Sequence, residues 1–176
     1  EIGYNIALSH GMSSIVLFLC AAIKNGIVSP KIHEMLEGCV NYILSHEIDV
    51  SKYGAYFPSQ SLENNETKLH KIRLGWCYGE WGVAYAIWTA GKYLDRNDWI
   101  EKGLFVLINT TKRTCLLEDT VIDAGICHGS AGIAMIYKRL YIETGNDIFL
   151  KSSKDWTKNV FVLSTHEDSL AGYKSY

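Results

Sequence analysis

Proline is scarce in this 176-residue chain: only Pro30 and Pro58 occur. Turn signals of the kind that close β-hairpins are equally rare, which argues against an all-β fold. No basic excess exists either. Seventeen Lys and Arg face nineteen Asp and Glu, a formal net charge of -2, which argues against a nucleic-acid partner bound through bulk charge. The longest apolar run, Ile15 to Ile23, is too short to cross a bilayer, so no transmembrane segment is expected. No secretory signal is expected either: one would need a basic start before its apolar stretch, whereas the sequence opens on Glu1, and His10 and Gly11 interrupt the approach. Cysteine is present in an odd number at irregular spacing: Cys20, Cys39, Cys77, Cys115 and Cys127. That pattern does not make a disulfide framework. It points to a reducing, cytoplasmic setting in which any special cysteine serves a metal or catalysis.

What is present is helical periodicity. A first helix is expected from about Met12 to Lys24, stopping near Gly26. Ser29-Pro30 reads as a cap with proline at the first helical position, opening a helix to about His46. Tyr53 to Gly75 reads as one long irregular loop. Further helices are expected over Glu80–Leu94, from Asn97 to about Cys115, over Ser130–Thr144 closed by Gly145, and from Asp147 to about Ser164. Cys20, Cys39 and Cys115 fall on these helical patterns and read as small core residues. His33, His46, His70 and His166 have no companions and read as surface or capping residues.

The chain also repeats itself. "SHGMSSIVLFLCAAIKNG", "CYGEWGVAYAIWTAGKYL" and "CHGSAGIAMIYKRLYIETG" align with Gly11, Gly79 and Gly129 in register, and "LAGYKSY" could begin a fourth copy. Each unit is a glycine-led helix followed by an amphipathic one, the pattern of stacked α-hairpins. The glycine-led helices are apolar nearly all round and should form an inner layer. Their glycines should permit tight turns and close backbone approach.

The register places chemistry at equivalent positions. Cys77 and Cys127 each lie two residues before the repeat glycine, and His10, Tyr78 and His128 lie one before it. If the hairpins curve about one axis, these loops converge. Cys77, Cys127 and His128 then offer three soft donors, the number that a catalytic zinc takes while keeping a fourth position open. Two buried cysteines beside a capping histidine would give the same letters, since the two cysteines are far apart in sequence. His10 could be a general acid or base, or a neighbour of a helix cap. Arg73, four before Cys77, could stabilise an anion or simply be solvated. Trp76, Tyr78 and Trp81 suit either a pocket wall or the core.

Taken together, "LSHG", "RLGWCYGEWG" and "CHGSAGI" resemble the lanthionine synthetase C-like (LanC-like) proteins, over essentially the whole chain. The resemblance implies an all-α fold, part of an α/α toroid of helical hairpins. It implies a single, incomplete toroid domain over residues 1–176: the family's long N-terminal half, with a catalytic aspartate, has no counterpart here, and the family continues past "LAGY". It implies zinc on Cys77, Cys127 and His128, a catalytic role for His10, and active-site places for Arg73 and Tyr78. The implied reaction adds a peptide cysteine thiolate to dehydroalanine or dehydrobutyrine, forming a thioether ring in a lantibiotic precursor. The implied partners are the dehydrated precursor peptide, a dehydratase and an exporter. Two other readings stay open: a LanC-like enzyme that adds glutathione or another small thiol to dehydro-residues, and a zinc-stabilised helical scaffold without turnover.

Overall fold

The structure, a computed structural model, describes residues 3–61 and 72–174. Residues 62–71, the middle of the expected long loop and His70 with it, lie outside the described residues. The described chain is helical, and among the described residues the only β-pairing is an isolated bridge between Asn5 and Gln60. Among the described residues seven α-helices follow one another: α1 Met12–Lys24, α2 Pro30–Leu44, α3 Val50–Tyr53, α4 Glu80–Tyr93, α5 Asn97–Thr110, α6 Ser130–Thr144 and α7 Asp147–Val162. A 3-10 turn covers Leu170–Gly172. Among the described residues, no helix is long and apolar enough to cross a membrane. Two compact units divide the chain, Glu1–Ile72 with Cys77–Leu107, and Arg73–Trp76 with Ile108–Tyr176.

In the first unit α1, α2 and α4 pack on one another. The sequence sets the ends of these helices. Ser29 caps α2, its hydroxyl accepting from the Ile32 N–H, with Pro30 at the first helical position. Asp49 caps the short α3, whose end at Gly54 is left-handed, φ +72°. At the start of α4 the Glu80 carboxylate is buried and accepts from the Tyr56 N–H at 2.7 Å. A negative group at a helix N-terminus is also favoured by the aligned peptide dipoles.

Helix α4 is the buried element, and glycine is the reason it fits. A Cβ on Gly103 of α5 would stand 2.6 Å from the backbone nitrogen of Trp88, and one on Gly91 would stand 2.8 Å from that of Ile100. Helices α4 and α5 therefore meet backbone to backbone. On α4, Trp81 and Tyr85 stack at 5.2 Å, and Lys92 lies 3.4 Å above the Trp88 ring. Trp81 is buried in the core.

In the second unit α6 and α7 form a hairpin. Gly145 turns it with φ +69°, and the Asn146 side chain caps α7. Tyr137 stacks on Phe149, and the Ser153 hydroxyl donates to the Ala134 carbonyl at 2.9 Å.

Two expectations change. First, the glycine-led helices expected to form an inner layer differ in burial: α4 is largely buried, but α1 exposes Ile15 and Phe18, and α6 exposes Met135 and Ile142. Second, α5 ends at Thr110, well short of Cys115, and the next N–H groups bond three residues back in tight turns. Asn109, Thr110 and Thr111 are weak helix formers, and Arg113 is drawn into an ion pair with Asp119 at 2.9 Å. Cys115 is therefore exposed outside any helix, and Cys39 is half-buried; of the three expected core cysteines, only Cys20 is fully buried. His46, expected as a surface or capping residue, proves to be a buried capping one. It caps the end of α2 through Nδ1, 2.8 Å from the Tyr42 carbonyl.

Glycine tolerance should follow this packing. Gly38 lies in α2 with nothing near its missing Cβ, so Gly38→Ala should stabilise by about 1 kcal/mol through helix propensity. Gly103→Ala should destabilise by about 1–3 kcal/mol through overpacking. Urea unfolding followed by circular dichroism reads both. A stabilising Gly103→Ala would contradict the close α4–α5 approach.

Candidate metal centre

The three repeat glycines sit at one structural position. Gly11, Gly79 and Gly129 are the N-caps of α1, α4 and α6, each extended and without a side-chain cap. Their φ angles are negative, so left-handed freedom is not what they supply. Space is the reason for two of them. A Cβ on Gly11 would fall 2.4 Å from the Asn5 carbonyl oxygen, and one on Gly129 would fall 2.2 Å from Asp123 Oδ1. The residues just before these two caps are thereby held in tight turns.

In the first unit these turns bring His10, Cys77 and Tyr78 together. The Ser9 N–H donates to the Cys77 carbonyl at 3.1 Å. The rings of His10 and Tyr78 lie 5.8 Å apart. His10 is exposed, Tyr78 is at the exposed margin, and Cys77 is buried.

In the second unit the segment Arg73–Trp76 packs with the loop that carries Cys127 and His128. The Leu74 N–H donates to the Asp119 carbonyl at 3.0 Å, and Trp76 Nε1 donates to the Ile126 carbonyl at 2.9 Å. A Cβ on Gly75 would lie 3.8 Å from the Cα of His128. Arg73 is half-buried, Cys127 exposed and His128 half-buried. Asp119 is itself fixed: its carboxylate takes the Arg113 guanidinium and also accepts from the Cys115 N–H at 2.9 Å.

Asp123 shapes the Cys-His turn. Its Oδ1 accepts from the Gly125 N–H at 2.6 Å, and its carbonyl accepts from the Ser130 N–H at 3.0 Å. Its Oδ2 lies 2.9 Å from His128 Nε2. That contact has ion-pair distance without hydrogen-bond alignment, and the buried Oδ2 has no aligned donor among the described residues. The Gly132 N–H donates to the Gly125 carbonyl, and a Cβ on Gly132 would fall 1.9 Å from the Ile126 carbonyl oxygen. Cys127 and His128 thus sit on a turn closed at both ends. Sequence reasoning passed over Asp119 and Asp123. The Asp-x-Gly spacing of Asp123 and Gly125 is an Asx-turn signal that could have marked the second.

The thiols differ in their surroundings. Burial pushes the Cys20 thiol up to about 11 and raises Cys39 as well. Cys115 and Cys127 are exposed. Iodoacetamide at mildly basic pH, with peptide mass mapping of the metal-free protein, should label Cys115 and Cys127 first and Cys20 last. Labelling of Cys20 as fast as Cys127 would contradict the packing of α1.

The sequence model of the lanthionine synthetase C-like protein family matches residues 2–172. Among solved structures, the fold matches one titled "Nisin cyclase" with a TM-score of 0.76 at 19% sequence identity, over 89% of this chain and 39% of that one. The chain thus spans well under half the length of that relative. The match bears out the all-α fold, part of an α/α toroid.

Proposed function

Since the chain belongs to the lanthionine synthetase C-like family, we propose that it carries the zinc-binding part of a lanthionine-forming cyclase. In this reading Cys77, Cys127 and His128 are the protein's donors to zinc. The donor chemistry fits: two thiolates and an imidazole suit zinc, and three protein ligands leave the fourth position for substrate. The observation that carries the reading is the fastening of Trp76 to the Ile126 carbonyl. Trp76 and Ile126 are the residues directly before Cys77 and Cys127, so one hydrogen bond joins the neighbours of two donors widely separated in sequence.

When bound, zinc would favour deprotonation of a substrate thiol at neutral pH, and two thiolate ligands would keep that sulfur nucleophilic. Two of this chain's residues then act on the substrate. The substrate is a peptide cysteine together with a dehydroalanine or dehydrobutyrine on the same precursor. As the sulfur–Cβ bond forms, the Cα=Cβ electron pair moves toward the carbonyl oxygen. The Arg73 guanidinium stabilises the negative charge gathered there. His10, as imidazolium, then gives its proton to Cα, which completes the thioether. Tyr78 stands beside the His10 ring and limits its motion. A cytoplasmic setting suits this reading, because five irregularly spaced cysteines fit a reducing compartment better than a disulfide framework.

Elemental analysis should find about one zinc per chain in the purified protein and none in Cys127→Ala. In a thioether-forming assay with a dehydrated precursor peptide, His10→Ala should keep its zinc and lose about 100-fold or more in kcat. Absence of zinc from folded protein would overturn the reading. Turnover with glutathione and not with the peptide cysteine would replace its substrate.

A further inference from the structure

Asp123 holds a carboxylate where no sequence pattern for zinc calls for one. The residue is 5% exposed, and its two oxygens do different things. Oδ1 is committed to the Gly125 N–H at 2.6 Å and so belongs to the turn itself. Oδ2 is buried, has no aligned donor among the described residues, and lies 2.9 Å from Nε2 of His128. An unmet buried carboxylate oxygen is costly, and the nearest group able to satisfy it is the His128 ring.

We infer that Asp123 is the positioning residue of the metal centre: by holding Nε2–H of His128, it leaves Nδ1 as the nitrogen that faces the metal. This rests on the zinc reading of Cys77, Cys127 and His128. The physical logic is that of carboxylate–histidine pairs at metal sites. The acceptor fixes which ring nitrogen carries the proton, restricts the ring, and makes the other nitrogen a better donor. Here the same carboxylate also builds the turn that sets Cys127 beside His128. One residue thus couples the backbone of the site to the orientation of its histidine.

The substitution Asp123→Asn separates the two roles. Asparagine keeps an oxygen for the Gly125 N–H but sets an NH2 group where Oδ2 stood, donor against donor. Two measurements test the inference. Zinc affinity, read by competition with a chromophoric chelator, should fall about 10- to 100-fold in Asp123→Asn, with helical circular dichroism unchanged. Long-range proton–nitrogen NMR of the wild-type protein, with His128 assigned by its loss in His128→Gln, should show the proton on Nε2 and, with zinc, Nδ1 as the bound nitrogen. A proton on Nδ1, or zinc affinity in Asp123→Asn within twofold of wild type, would overturn the inference while leaving the zinc reading intact. A wild-type protein that binds no zinc would overturn both. The NMR readout needs no altered Asp123, so a variant that failed to fold would leave the outcome decided.

Discussion

The carboxylate of Asp123 closes the turn on which the candidate centre depends. Adjacent side chains normally diverge, so a Cys-His pair can serve one site only if the backbone bends sharply between fixed points. Asp123 supplies those points through Oδ1 on the Gly125 N–H and through its carbonyl on the Ser130 N–H. The glycines around it supply no special torsion angle. Gly129 and Gly132 supply absence, because a methyl group at either would strike the turn's own atoms. The turn and the glycines are therefore one device: the carboxylate draws the chain together, and the missing side chains let it close.

A second fastening works on the segment before Cys77. Leu74 and Trp76 bond to the loop of residues 119–126 through the Asp119 and Ile126 carbonyls. Asp119 is held in turn by Arg113, and both side chains are largely buried. Breaking such a pair by removing one partner is costly because it leaves the other charge buried alone. The arrangement explains why α5 stops early. Arg113 is needed at the loop, and a helix continued to Cys115 would carry it elsewhere.

Much of this was legible from the sequence, and the reason is local. Helix starts at Met12, Pro30, Glu80, Asn97, Ser130 and Asp147 follow from caps and glycines, which act within a few residues. The repeat register marked Gly11, Gly79 and Gly129 as equivalent, and all three cap helices. It also marked Cys77, Cys127 and His128 as candidate donors and set His10 beside Tyr78's register position. What was not legible depends on contacts between distant residues. Nothing near Asp119 in sequence says that its carbonyl will receive the Leu74 N–H. Nothing near Asp123 says that its second oxygen will face an imidazole. Cys115 misled for the same reason, because helical periodicity runs through it while the Arg113–Asp119 pair turns the chain away.

The central claim is that two cysteine sulfurs and one imidazole from this chain bind zinc and leave a position open for a thiol. Zinc K-edge X-ray absorption on the metal-loaded protein tests it most directly. The account predicts two sulfur scatterers at about 2.3 Å and light-atom scatterers at about 2.0–2.1 Å, with a third sulfur appearing when a thiol substrate is added. A site with no sulfur, or one closed by four protein donors and unchanged by thiol, would contradict it.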